Sequence, residues 1–598
     1  MRRGAWAGLM ILVAGLMLPR QADGQNTPPL RRSQEVIVTA SAAPVSPEWT
    51  GRTVVVITGD ELARLGIQVL ADALRLLPGL DVRARGPWDV QTDFSIRGAT
   101  FGQQLVLIDG VRLNDSQSGH HNGDIPAAAA GIERIEVVTG PGSALHGADA
   151  LGGVINIVTR RTAHTSGSFT AGQHGLVAGA LSAQGPRIPL GMTVALWGGR
   201  SAGFEAGREF VQGGASLRTP AWRGWQFDAR HVRKAFGALN FYGPSPSKEW
   251  TDQSLVSTEW RQVAGSWAPS IHVAYRNHGD HFRWDRHRPG FAENRHRTNA
   301  VSADLRVQHE SPSGRRVSAG AGAGGDRVDS TNLGDHKYTR GHAVVELQQP
   351  LSSRARVTAG LRADRYSRFG SSINPSLAGV VQLTPHIRLR SSVARAFRVP
   401  TFTELYYTDP SNLGSPDLVA EHGWSLDGGL QVDRGRWSAT AAPFVRWDTN
   451  VIDWVRASSA DRWRSTNVRD VTARGIDLSV SHRHGAGFAR MYYSGLHVDA
   501  PALTTLSKYV LEYPRHSAGG AAAISLPARV SVGATVDYRN RLDGQRYTLI
   551  GLRVARTIRS GEVFVSGSNL LNERYREIAG VNMPGRWMVV GFQLTTNK

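Results

Sequence analysis

Cysteine is absent from the 598 residues. That excludes a disulfide framework, a thiolate zinc site and a thiol nucleophile. It leaves the compartment open, because many exported chains carry no disulfide. Long apolar runs are almost absent too. Beyond the first 25 residues no stretch of 18 mostly apolar residues lacks charge, and Ala127 to Ala130 is closed off by Glu133 and Arg134. A helical membrane domain is therefore excluded. Acidic residues are few beside basic ones, 49 against 69, for a formal net charge of +20. Such a charge admits nucleic acid or an anionic membrane as partner. No basic recognition helix or zinc-finger spacing accompanies it, which speaks against nucleic acid. The 67 glycines show no triplet period, so the chain is not collagen-like. At 41% hydrophobic residues there is ample material for a core, and wholesale disorder is excluded.

What is present begins with Arg2 and Arg3, an apolar run from Gly4 to Leu18, and the small residues Ala22 and Gly24. Residues 1–24 read as a secretory signal peptide. The run is shorter than the roughly 20 residues that span hydrocarbon, leaving an uncleaved anchor as the alternative. Export lowers the nucleic-acid reading further. Residues 25–51 form an arm that begins polar and contains Pro28 and Pro29.

Residues 52–161 mix helix and strand. Val54 to Ile57 is a short strand, and Thr58 with Glu61 caps a helix buried through Leu62 and Leu65. Ala71 to Leu77 is a second helix, stopped by Pro78-Gly79. Phe94–Arg97, Gln104–Ile108, Ile132–Val138 and Val154–Val158 read as strands, with a turn at Asp109-Gly110. This is a compact α+β domain.

From 162 to 598 the grammar changes to alternation. Val301, Ala303, Leu305 and Val307 interleave with Ser302, Asp304, Arg306 and Gln308; Leu361 and Ala363 interleave with Arg362 and Asp364. One face meets an apolar phase and the other a polar one. A soluble all-β sandwich also alternates. The length of the repetition, the many paired charges on the polar face and the export signal favour a closed membrane barrel, which satisfies every backbone group. At roughly 20 residues per strand and connection, residues 162–598 make about 22 strands, a size class with a plugged lumen. The expected architecture is a transmembrane β-barrel of about 22 antiparallel strands with the N-terminal α+β domain as a plug in the lumen.

The motifs then carry a resemblance. Glu35-Val36-Ile37-Val38-Thr39-Ala40, Leu70 to Leu80, Ser95-Ile96-Arg97-Gly98, Leu107 to Val111, Ile132 to Val137, Gly140 to Gly147 and Gly152 to Ile157 match successive plug motifs. Phe397-Arg398-Val399-Pro400 with Glu404 to Tyr406 and Gly414 to Glu421, Asn467-Val468 with Arg474 to Asp477, and Asn569 to Tyr575 with Pro584 to Arg586 match barrel blocks. The chain resembles the TonB-dependent outer-membrane receptors, of the compact kind that includes the vitamin B12 receptor. One departure is the end of the chain, Thr595 to Lys598, where members commonly place an aromatic; Phe592 is the candidate for that role.

The resemblance implies energy-coupled import of a scarce solute, a metal chelate such as cobalamin or a ferric siderophore. Residues 35–40 would be the TonB box, to which TonB adds a strand. An ordinary plug strand is the plainer reading of Val36 and Val38. The implied setting is the outer membrane, with lipid and lipopolysaccharide around a monomer. A passive plugged porin or a structural outer-membrane protein is the alternative, although an empty channel needs neither front domain nor TonB box. No cofactor is expected, and no Walker lysine follows Gly140-Pro141-Gly142. No catalytic set is assigned: nucleophile elbow, zincin motif and spaced carboxylate pair are all missing.

Arg97 and Arg134 are expected to be structural, pairing the plug with barrel carboxylates rather than binding substrate. The outward plug loops supply the ligand candidates Arg85 and Trp88, then Asp115, His120, His121 and Asp124. A simple polar loop is the competing reading. No metal ligand set is assigned. The acidic spacing is too sparse for a calcium loop, and adjacent histidines on an extended strand point apart. Arg354, Arg356, Arg388 and Arg390 are candidates to line a positive lumen, or to balance plug carboxylates.

Overall fold

The computed structural model describes residues 39–42, 45–161, 164–184, 191–468, 470–500, 505–559 and 561–597. The signal-peptide segment and Glu35 to Val38 lie outside the described residues; Thr39 and Ala40 lie within them. No helix among the described residues is long and apolar enough to cross a membrane.

The plug is a five-stranded sheet built from β1 (Val54–Thr58), β4 (Gln104–Ile108), β5 (Val111–Arg112), β6 (Ile132–Thr139) and β7 (Gly153–Thr159), in the order β1-β6-β7-β4-β5. β4 and β7 run parallel and the other neighbours antiparallel. A separate hairpin pairs β2 (Leu80–Ala84) with β3 (Thr92–Ile96). Helix α1 (Gly59–Leu65) begins in the expected capping box: Glu61 N–H donates to Thr58 Oγ1 at 3.2 Å, and Thr58 N–H donates to Glu61 Oε2 at 3.0 Å. It packs Leu62 and Leu65 into a core with Ile135, Val137, Ile155 and Ile157. Asp109 and Gly110 both take positive φ, 50° and 85°, the tight turn that joins β4 to β5.

Two local readings change. Helix α2 is only Leu70–Leu74, and β3 ends at Ile96 rather than at Arg97. Arg97 has φ 52° and Gly98 φ 71°, so the chain leaves the extended region there. The hairpin strand β2 carries no clean alternation, because all five of its residues are buried.

Residues 164–597 form a closed barrel of 22 strands, each antiparallel to its neighbours in the ladder. Closure comes from the last strand (Trp587–Asn597) pairing with the first (His164–Gly172). Every ladder is thereby paired and no edge faces lipid. The alternation lands as expected. Val301, Leu305, Leu361 and Leu377 point outward at 50%, 52%, 47% and 51% exposure, while Arg362 and Asp364 are buried inside. An apolar surface this extensive is a lipid contact. Trp222, Trp267 and Trp437 stand exposed near the short turns at one end, where an aromatic girdle meets the interface.

The two ends differ. Hairpins such as 353–354, 385–386 and 435–436 are short, whereas 399–420, 450–470, 500–513 and 569–586 at the opposite end are long. There Asn412–Leu413, Trp463–Asn467, Ile452–Arg456 and Leu506–Ser507 build a small extra sheet. The plug leads into His164 at the short-turn end and sends its β2–β3 hairpin and residues 113–124 toward the long loops: Arg83 reaches Glu512, and Phe402 N–H donates to the Ser116 carbonyl.

Because Leu361 faces lipid mid-strand, Leu361→Arg is expected to destabilise the barrel by about 2–4 kcal/mol. Ala363→Ser on the same face should cost far less. Denaturant unfolding of the protein refolded in lipid bilayers measures both.

Candidate functional site

A charge on the plug sits inside a wall of barrel side chains and must find its partner there. Arg97 shows how this is met. Its Nε donates to Asp477 Oδ2 at 2.8 Å, its Nη1 contacts Asp427, and its guanidinium lies 4.1 Å from the Phe444 ring centroid. The carboxylates come from two barrel strands, Val471–His484 and Glu421–Arg434. The same solution recurs around the plug. Arg541 holds Asp81 at 3.0 Å, Arg230 reaches Asp109 at 2.8 Å, Arg276 reaches Asp115 at 2.9 Å and Arg75 reaches Glu577 at 2.7 Å. Arg134 pairs with Glu133 and, at 2.7 Å, with Glu136 of its own strand. Glu136 in turn accepts from the Thr39 backbone N–H at 3.0 Å, so the buried Thr39 is held against the plug sheet.

The arginines proposed for the lumen wall are mostly engaged. Arg388 pairs with Asp433 at 2.9 Å, and Arg390 donates to the Arg52 carbonyl at 3.2 Å. Arg356 lies over Trp49 at 5.6 Å, and Arg354 is exposed at a turn. Three of the four are thus engaged by a barrel carboxylate, an N-terminal carbonyl and an N-terminal ring rather than left to line an open positive channel.

At the long-loop end the six ligand candidates divide into three groups. Arg85 and His120 meet through Asp93: Arg85 Nη1 is 2.8 Å from one carboxylate oxygen, and His120 Nδ1 is 2.9 Å from the other. His120 stacks on Phe101 at 4.1 Å between ring centroids, with Tyr509 at 5.9 Å and Tyr242 at 6.2 Å. Asp115, His121 and Asp124 are buried in the seam between plug and barrel. Trp88, at φ 62°, stands apart beside a cavity of about 280 Å³. That cavity and a neighbour of about 210 Å³ flank the plug segment Gly66–Leu70. His120 and His121 also correct the expected strand. They occupy one 3₁₀ turn, Gly119–His121, with Ser118 Oγ accepting from the His120 N–H.

Burial pushes His120 down to about 4, the attraction of Asp93 being offset by Arg85. Burial opposes the Asp93 charge, but Arg85 and His120 outweigh it and hold the carboxyl below its usual range.

Sequence reasoning missed the rim above this group. Lys508 Nζ lies 5.3 Å from the Tyr509 ring, 5.8 Å from Trp463 and 6.0 Å from Trp454, and Arg456 lies 4.3 Å from Trp463. The available signal was the loss of alternation over 450–470 and 505–513, with cations set beside aromatics. Glu249, His278 and Asp280 were also missed, because as inward residues of alternating strands they look like any other lumen residue.

Comparison with known proteins agrees with this architecture. The family model "TonB dependent receptor-like, beta-barrel" matches residues 178–589, and "TonB-dependent Receptor Plug Domain" matches residues 47–154. The chain belongs to the TonB-dependent receptor family. It is thus an outer-membrane transport protein, not an enzyme, with TonB as its energising partner. It is 24% identical to the vitamin B12 transporter BtuB of Vibrio vulnificus strain YJ016 over 518 residues, 80% of each chain. It is 23% identical to the iron-regulated outer membrane virulence protein of Vibrio cholerae over 581 residues, 88% of this chain and 87% of that one. The ferric enterobactin receptor PfeA of Pseudomonas aeruginosa superposes with a TM-score of 0.74 at 16% identity, covering 92% of this chain and 99% of that one.

Two outcomes follow from the geometry. Arg97→Ala leaves two buried carboxylates facing each other and is expected to cost about 3–5 kcal/mol. Adding Asp427→Asn and Asp477→Asn should restore most of it in thermal melts of the detergent-solubilised protein. His120 binds its proton less readily folded than unfolded, so it subtracts stability as pH falls from about 6.5 to about 4. The difference in melting temperature between wild type and His120→Gln should grow across that window, with the variant the more acid-tolerant.

Proposed function

We propose that the solute imported by this chain is an anionic, aromatic metal chelate of the ferric siderophore class, with a corrinoid as the second reading. The observation that carries this is the rim of Lys508, Arg456, Trp454, Trp463 and Tyr509 above the Phe101–His120 stack. Cations set against ring faces suit a flat ligand with negative charge at its edge. A corrinoid is flat as well, but largely uncharged at its edge, and makes less use of the two cations. The named relatives include a vitamin B12 transporter, an iron-regulated outer membrane virulence protein and a ferric enterobactin receptor, and the rim supports placing the siderophore reading first.

Arg85, His120 and Asp93 form the floor that such a ligand would press on. Beneath them the plug is tied to the barrel by the buried ion pairs, which is why the ligand cannot pass unaided. Thr39 and Ala40 are the described end of the proposed TonB box. The burial of Thr39 against Glu136 and of Ala40 beside Leu105 and Val138 supports a segment stored at the plug until it is called on.

The test is equilibrium binding by the purified, detergent-solubilised protein to ferric catecholate, ferric hydroxamate and cyanocobalamin. The ferric catecholate is expected to bind saturably, and Lys508→Ala with Arg456→Ala should weaken it at least tenfold. Saturable cyanocobalamin binding that the double variant leaves unchanged would overturn the siderophore reading and install the corrinoid one.

A further inference from the structure

Where the plug loop 114–124 meets the barrel strand Trp267–Arg283, two imidazoles are each placed between carboxylates. His278 is fully buried; its Nε2 lies 3.1 Å from Asp124 Oδ2 and its Nδ1 3.0 Å from Asp115 Oδ2. His121 directs Nδ1 toward Asp124 Oδ2 at 3.9 Å and Nε2 toward Asp280 Oδ2 at 3.4 Å. The two rings are 4.7 Å apart. One donor atom from each of His121, Asp124 and His278 falls within 4.8 Å of the other two. The turn Gly119–His121 brings this about, because it lets His121 and Asp124, three residues apart, face the same strand.

We infer that His121, Asp124 and His278 bind a divalent first-row transition ion, of the Zn²⁺ class, that fastens the plug loop to the barrel wall. Two observations carry it. First, the spacing: donors about 2.0–2.2 Å from a tetrahedral ion stand about 3.4 Å apart. The 3.1 and 3.9 Å separations bracket that value. Second, the outer support: each ligand is held from behind. Lys234 Nζ binds Asp124 Oδ1 at 2.9 Å, Asp280 stands behind His121, and Asp115, itself held by Arg276, stands behind His278. Metal-binding histidines are oriented by carboxylates in this way.

Two imidazole nitrogens with one carboxylate select a borderline transition ion over Ca²⁺ or Mg²⁺, which want oxygen. The inference stands whichever chelate the rim accepts, since none of its ligands belongs to the rim. A second group, His121, Glu249 and Asp280, adjoins the first and shares His121. It is the less supported set, because Glu249 Oε2 already faces the Tyr242 hydroxyl at 3.3 Å.

The experiment uses the full-length protein in detergent, stripped with a chelator and titrated with Zn²⁺ alone against a chromophoric competitor. Wild type and His120→Gln are expected to take up one tight equivalent. Asp124→Asn and His278→Gln should each weaken it at least tenfold. Wild type titrated with Co²⁺ should develop the visible absorption of nitrogen-ligated tetrahedral cobalt and lose it on adding Zn²⁺, a readout that needs no variant to fold. Absence of a tight equivalent in wild type overturns the inference, as does an equivalent that survives both substitutions. Loss on Glu249→Gln with His278→Gln unaffected moves the ion to the adjoining group and overturns the assignment.

Discussion

Buried charge without water is the constraint on which the rest of this molecule depends. The plug fills a lumen whose wall is polar by construction, since the barrel spends its apolar residues on lipid. Every guanidinium and carboxylate trapped between the two must be neutralised by a specific partner, because an unpaired one costs more than its pair contributes. Arg97 with Asp427 and Asp477, Asp81 with Arg541, and Asp109 with Arg218 and Arg230 are that requirement met residue by residue. The excess of basic residues over acidic ones does not leave the lumen positive at these contacts, because plug carboxylates take up the barrel arginines.

The same constraint explains how the molecule is closed and how it is able to open. Ion pairs fix the plug in one orientation, alongside apolar contacts such as those of Leu62 and Leu65 in a core that includes the barrel residues Phe488 and Ala521. The described end of the proposed TonB box is held by a carboxylate, Glu136, that Arg134 steadies from within the plug. A pull on that segment acts on β6, the strand that joins β1 to the rest of the plug sheet. Two cavities already flank Gly66–Leu70, so a path on that side of the plug starts from existing space.

Much of the fold was legible because it is periodic or local. The alternation of Val301 to Gln308 needs only its own neighbours to assign faces, and the barrel followed from repeating it. Thr58 with Glu61 and Asp109 with Gly110 are short-range signals, and both hold. Pairings were another matter. Alternation says that Asp427, Asp477 and His278 face inward but not which plug residue they meet, hundreds of positions away in the chain. Arg134, for one, engages Glu133 and Glu136 of its own strand. The β2 strand escaped notice because burial on both faces erases alternation. The six ligand candidates were found by chain position between plug motifs, and position could not separate the rim-side pair Arg85 and His120 from the seam residues Asp115, His121 and Asp124.

The central claim is that this is a closed, energy-coupled importer rather than a passive pore. The most direct measurement follows a radiolabelled ferric catecholate in cells expressing the protein, with and without TonB, scoring surface binding and uptake separately. The account predicts equal surface binding in both and uptake only where TonB is present. Uptake at the same rate without TonB would contradict it, and would mean that the plug and its ion pairs do not seal the lumen.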